Sequence, residues 1–229
     1  MSQRAAFLNR LRSRLPQAKL PEADPNHPSS FRGYTFAADI PPADLVDRFT
    51  QELNALAGQV YSAKTSQEVT KIIRQILNKH GAKQLISWGS DWLEPRQLVA
   101  TLTAAGIEIV DSELPVIAAD RKVKLTALDK IKVGLTGAHG ALADTGAIAL
   151  ISGPGRGRLA SLLPPVHIAI LPQQKLYPSL PAFLAAHHEA TTAGSNLVFI
   201  AGPSRTGDIE MTLTMGVHGP GELYVILTP

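Results

Sequence analysis

The chain has no cysteine. Disulfides, thiolate catalysis and any cysteine-ligated iron–sulfur cluster held by this chain are thereby excluded. It also has no apolar run approaching the roughly 20 residues that cross a bilayer. Internal repeats and low-complexity tracts are absent. The opening residues MSQRAAFLNRLRSRLPQ carry arginines but lack the continuous apolar stretch of a secretory signal, so a cytoplasmic location is expected. What remains is ordinary: 45% hydrophobic and 18% charged residues give enough apolar material for a core and too little net charge for disorder.

Most of the 229 residues also lack an excess of either charge. The formal net charge is +3, and residues 1–33 hold Arg4, Arg10, Arg12, Arg14, Lys19 and Arg32 against Glu22 and Asp24. The rest is close to neutral, which speaks against nucleic acid as a partner. Residues 4–15 predict a short amphipathic helix with Phe7, Leu8, Leu11 and Leu15 on one side. Pro16, Pro21, Pro25 and Pro28 forbid regular structure beyond it. The sequence therefore divides into a basic arm, 1–33, and a body, 34–229. A short basic helix of this kind is usually a solvated face.

In the body, helical and strand patterns alternate. Residues 42–57 have helical spacing, and VYSA (60–63) reads as a strand. Thr65-Ser66-Gln67-Glu68 reads as a capping box before a helix that buries Val69, Ile72, Ile73, Ile76 and Leu77 and stops at Gly81. Strands follow at 83–88, 107–110, 131–137, 147–152, 166–171, 196–201 and 222–227. Helical segments are expected at 92–105, 126–130, 158–163 and 179–190. Short, continuously apolar, β-branched strands separated by helices predict a mostly parallel sheet in a three-layer α/β/α fold.

Open parallel sheets bind ligands outside the carboxyl ends of their strands, and the unusual residues fall just after strands. TGAHGALADTG (136–146) offers Thr136, Gly137, His139, Asp144 and Thr145, although a glycine-rich connection would read the same way. GPGRGR (153–158) resembles an anion cradle, with the Gly155 backbone and Arg156 and Arg158 as donors. It fits neither the dinucleotide fingerprint nor the P-loop, and a solvated surface loop is the alternative. His167 opens a strand among apolar neighbours, as core histidines do. GPSRTGDIE (202–210) supplies Ser204, Arg205, Thr206, Asp208 and Glu210, and GVHGPG (216–221) centres on His218. Asp208 and Glu210 share a face in extended backbone, where they suit acid/base work or an ion pair with Arg205. No histidine spacing supports a metal site, and no nucleophile elbow accompanies Ser204.

The stretches TGA…ADTG, SLLPPVHIAI, GPSRTGDIE and GVHGP, in this order, resemble the LUD-domain family in its lactate-utilisation protein C branch. Ala147 and Gly207 depart from the family pattern, which has threonine and alanine there. The resemblance implies a fold of the NagB/RpiA/CoA-transferase type. It also implies a part in oxidation of L-lactate to pyruvate within a cytoplasmic system whose partner subunits carry iron–sulfur clusters, with no cofactor in this chain. It transfers no catalytic residues.

Two roles follow for such a chain. It could supply a small-anion site, with Arg156, Arg158 or Arg205 holding a carboxylate and His139 or His218, aided by Asp208 and Glu210, handling a proton. It could instead be an assembly subunit working through its arm. A third reading is an independent protein for a phosphorylated or CoA-linked metabolite, on the strength of GPGRGR. The sequence carries no signature of oligomeric state. In the first reading, loops distant in sequence gather into one cleft.

Overall fold

The computed structural model describes residues 3–14, 41–190, 192–207 and 213–229. Two units divide the chain, Met1–Thr35 and Phe36–Pro229. In the first, helix α1 (Gln3–Arg14) is described, with Phe7 exposed.

The second unit is built on six parallel strands. In spatial order they are β1 (Gln59–Ser62), β12 (Glu222–Thr228), β7 (Val166–Pro172), β4 (Val133–Gly137), β2 (Gln84–Ser87) and β3 (Glu108–Asp111). One face buries Leu85, Leu135, Ile168, Ile170 and Ile226 under α3 (Ser66–Lys79) and α4 (Leu98–Ala104), which contribute Val69, Ile73, Ile76, Leu77, Leu98 and Leu102. The opposite face buries Ile86, Ala169, Leu171, Val225 and Leu227. Against it lie Phe49 and Leu53 of α2 (Leu45–Ala55), Leu128 of α5 (Ala118–Leu128) and Ala160 of α6 (Leu159–Leu162). Strands covered on both faces read as unbroken apolar runs, as the sequence has them.

A second sheet shares that layer. Its order is β8 (Leu176–Tyr177), β5 (Gly140–Leu142), β6 (Ala147–Ser152) and β9 (Asn196–Ile200), with β6 antiparallel to both neighbours. The strands expected at 147–152 and 196–201 therefore form, but outside the parallel sheet. Four residues, 143–146, connect β5 to β6, too few for a crossover and enough for a hairpin. Gly146 turns it with φ +65°, in van der Waals reach of α2. Composition gave no warning, because β6 is buried on both faces. Ile148 and Leu150 meet the main core, while Ala147, Ala149 and Ile151 meet Phe183 of α7 (Leu180–Ala186). A short hairpin of β10 (Arg205–Gly207) and β11 (Leu213–Met215) stands apart from both sheets.

Local signals set several boundaries. The Thr65 hydroxyl caps α3 by accepting from the Glu68 N–H at 3.2 Å, and the Glu68 carboxylate reaches back to the Lys64 N–H at 2.7 Å, one residue before the cap. Helix α5 is longer than the turn expected at 126–130. Its periodicity is weak because it buries Leu128 and leaves Val123 exposed.

Helix α6 lies directly on β4. A Cβ on Gly134 would come within 1.8 Å of the Ala160 carbonyl oxygen. Gly134→Ala should therefore cost about 3 kcal/mol or more, beyond ordinary overpacking, because backbone and not a flexible side chain must move. Urea unfolding measures it; a loss below about 0.5 kcal/mol would contradict this contact.

Candidate functional site at the carboxyl edge

Strand order reverses at β2, which lies between β3 and β4. The crossover through α4 covers one face, and the return through α5 covers the other. Such a switch point opens a crevice at the carboxyl ends of the strands. Three loops meet there. The loop after β2 brings Trp88 and Trp92, the residues after β4 bring His139, and the loop after β6 brings Gly155 and Arg156. They are cinched together. Trp88 Nε1 donates to the Gly157 carbonyl at 3.0 Å, Gly89 N–H to the Gly155 carbonyl at 2.8 Å, and His139 N–H to the Ala149 carbonyl at 2.9 Å.

Arg156 is the centre of this arrangement. Its residue surface is only 7% exposed, and its guanidinium carbon sits 3.9 Å from the Trp92 ring centroid. Stacking of this kind contributes up to about 2 kcal/mol when desolvated. Nη1 lies 2.8 Å from His139 Nε2, and Nη2 is 3.5 Å from the Ala193 carbonyl. Nε is buried without a partner, and no ion pair joins Arg156 to a carboxylate among the described residues. Gly153 leaves room for the guanidinium, since a Cβ there would meet Nη2 at 2.8 Å. A pocket of about 700 Å³ adjoins it, lined also by Ser112, Glu113, Ser152 and the exposed Arg158. Burial pulls the Arg156 pKa down from the ordinary arginine value, but the guanidinium stays charged.

His139 is half-buried, between the rings of Trp88 and Trp92 at centroid distances of 5.8 and 6.3 Å. Burial, then the nearby Arg156 charge, hold its pKa down at about 4. It is therefore neutral near pH 7. The expectation of a histidine poised to take a proton at working pH is revised here: a desolvated ring beside a cation is a weak base.

The anion cradle expected from GPGRGR takes another form. Gly153 and Arg156 exchange backbone hydrogen bonds in a tight turn, and the Gly155 N–H donates to the Glu113 carboxylate at 3.0 Å. Those amides are occupied, and α6 is a single turn. An unpartnered donor in this loop is Arg156 Nε.

The remaining candidates lie elsewhere. Thr136 is buried in β4, its hydroxyl 2.9 Å from His167 Nε2, and Gly137 passes under the Trp92 carbonyl. Asp144 and Thr145 form the β5–β6 turn, at the far end of that hairpin from His139. Ser204 and His218 line a pocket of about 140 Å³ with Ser161, Leu162, His167 and Leu223. That pocket is at the amino edge of the parallel sheet, where Gly221 and Glu222 donate to the Pro165 carbonyl as β7 and β12 begin. Arg205 and Thr206 are in β10, and the Arg205 guanidinium donates to the Leu56 carbonyl. Asp208 and Glu210 lie outside the described residues.

The single cleft expected from the sequence is thus replaced by two sites at opposite ends of the parallel strands, with α6 between them and Leu162 bordering both. The reason is topological. Strand β9, which delivers GPSRT, belongs to the second sheet, and GVHGPG precedes β12 instead of following a parallel strand. Trp88 and Trp92, the chain's only tryptophans, read in the sequence as the end of a strand and the start of a helix. Their position just past a strand's carboxyl end was the available signal.

A family model described as LUD domain matches residues 46–228. Lactate utilization protein C of Halalkalibacterium halodurans is 32% identical over 180 residues, covering 74% of this chain and 76% of that protein. The protein of the same description from Anoxybacillus flavithermus is 26% identical over 235 residues, covering 97% and 98%. The crystal structure of a DUF162 family protein from Deinococcus radiodurans superposes with a TM-score of 0.59 at 21% identity, over 83% of this chain and 99% of that one, a likeness of fold. No helix among the described residues is long and apolar enough to cross a membrane.

Burial holds the His167 pKa at about 3, and His139 stands at about 4, both below the 6.5 of a free histidine. In this window the unfolded chain binds the extra protons. The stabilisation is therefore complete above about pH 6.5 and is lost as pH falls towards 4, by at most about 1.4 kcal/mol per pH unit for each histidine. Thermal or urea melts of His167→Gln should show roughly half the wild-type slope between pH 6 and 4. An unchanged slope would remove His167 from the account.

Proposed function

The chain belongs to the LUD-domain family, and we propose that it serves oxidation of L-lactate to pyruvate as the component that holds the small carboxylate. Relatives described as lactate utilization protein C support a role in lactate utilisation. The observation that carries the finer reading is Arg156: a buried guanidinium, stacked on Trp92, facing a pocket and lacking a carboxylate partner among the described residues. A buried cation without a counter-ion is costly. An anionic substrate supplies the counter-ion, and charge-assisted hydrogen bonds to a carboxylate supply orientation.

Oxidising lactate removes two electrons and two protons. A chain without cysteine offers no thiolate to an iron–sulfur cluster. In this reading the two electrons pass one at a time to partner subunits that carry such clusters and the two protons are released to water, in the cytoplasm, while this chain binds and orients. The alternative of a phosphorylated or CoA-linked ligand loses part of its support, because the Gly153, Gly155 and Arg156 amides of GPGRGR are already bonded.

Titration calorimetry of the full-length protein with L-lactate and with pyruvate tests the proposal. Binding in the micromolar to millimolar range is expected. Arg156→Gln should weaken it about tenfold or more, as loss of a charge-assisted bond does, and Arg205→Gln should leave it within about twofold. If the wild type binds neither compound, alone or with its partner subunits, the reading fails.

A further inference from the structure

This inference rests on the carboxylate reading above and concerns how the anion is held. His139 is enclosed by two groups that can only donate. The Ile151 backbone N–H points at Nδ1 at 3.1 Å, and Arg156 Nη1 lies 2.8 Å from Nε2. A neutral imidazole has one nitrogen lone pair and one N–H. One of the two neighbours therefore meets a hydrogen instead of a lone pair.

Which one yields follows from rigidity. Ile151 belongs to β6, where it is paired with Leu197 of β9. Its amide is fixed by a strand held on both sides. The Arg156 guanidinium ends a side chain with several rotatable bonds. The Nδ1 lone pair is thus committed to Ile151, and the ring proton is on Nε2, facing Arg156. Two N–H groups then face each other without an acceptor between them, His139 Nε2 and Arg156 Nη1, while Arg156 Nε, on the other edge of the guanidinium, is also without a partner among the described residues.

We infer that the missing acceptor is a carboxylate group of a small organic acid, one oxygen of which accepts from both His139 Nε2–H and the Arg156 guanidinium and replaces their direct contact. The second oxygen takes a further guanidinium N–H. His139 is in this account a binding residue locked in one tautomer, and it accepts no proton from the substrate. Trp92 covers one face of the guanidinium and fixes the plane in which a two-oxygen ligand is met. That arrangement suits a two-oxygen group such as a carboxylate.

Side-chain nitrogen NMR of the histidine-labelled full-length protein reads the tautomer directly. At pH 7, His139 should show an unprotonated Nδ1 and a protonated Nε2, and added pyruvate should shift Nε2 more than Nδ1. A protonated Nδ1 overturns the inference even if pyruvate binds. By calorimetry, His139→Phe should weaken pyruvate about tenfold, while His139→Gln, which restores an N–H donor, should stay within about threefold of wild type. If wild type binds pyruvate and His139→Phe binds equally well, the shared-oxygen arrangement is wrong and the Arg156 reading stands. If wild type binds no carboxylate, the underlying reading itself fails. Inorganic phosphate bound more tightly than pyruvate would overturn the ligand class.

Discussion

One cation stacked on one indole organises the functional end of this protein. Arg156 over Trp92 joins the loop after β6 to the loop after β2. The same two loops are tied by Trp88 to the Gly157 carbonyl and Gly89 to the Gly155 carbonyl. Because the charge is desolvated and has no carboxylate partner among the described residues, the cluster is incomplete by itself. Removing a guanidinium from water without a carboxylate beside it costs free energy. In return it leaves donor groups at the rim without acceptors among the described residues before a ligand arrives. His139 shares this condition, being neutral, wedged between two aromatic rings and facing donors on two sides.

The parallel sheet determines where such a cluster stands. With all six strands pointing one way, everything that follows a strand lies at one rim and everything that precedes a strand lies at the other. Helix α6, pressed onto Gly134, separates the two rims on the face it covers. Three histidines are sorted accordingly. His139 belongs to the carboxyl rim with Arg156. His167 and His218 border a smaller pocket at the amino rim with Ser161 and Ser204. The buried His167 ring bonds to Thr136 on one side, and its Nδ1 has no partner among the described residues. Its burial reads first as a determinant of acid stability.

Much of the fold was legible because burial on two faces leaves a plain mark on a strand. The runs at 83–88, 131–137, 166–171 and 222–227 all became strands of the parallel sheet. The run at 147–152 carried the same mark and joined another sheet. The clue that distinguished it was the four-residue ADTG connection, a matter of length and not of hydrophobicity. His139 and Arg156 were both chosen from the sequence, and the antiparallel hairpin between them returns the chain to the rim it left. Trp92 could not be found by periodicity, since a stacking platform and a core aromatic are the same residue until a cation is placed on it. The paired donors around His139 depend on backbone register, which spacing does not encode. Nor could the sequence say that the Gly153 and Arg156 amides would be occupied by a turn and the Gly155 amide by Glu113.

The central claim is that Arg156, with Trp92 beneath it and His139 beside it, is the place where a small carboxylate binds. A crystal structure of the full-length protein with pyruvate soaked at saturating concentration tests it most directly. The account requires the carboxylate at hydrogen-bonding distance from the Arg156 guanidinium and from His139 Nε2. Pyruvate seated in the pocket of His167 and His218, with Arg156 and His139 still in direct contact, would contradict it.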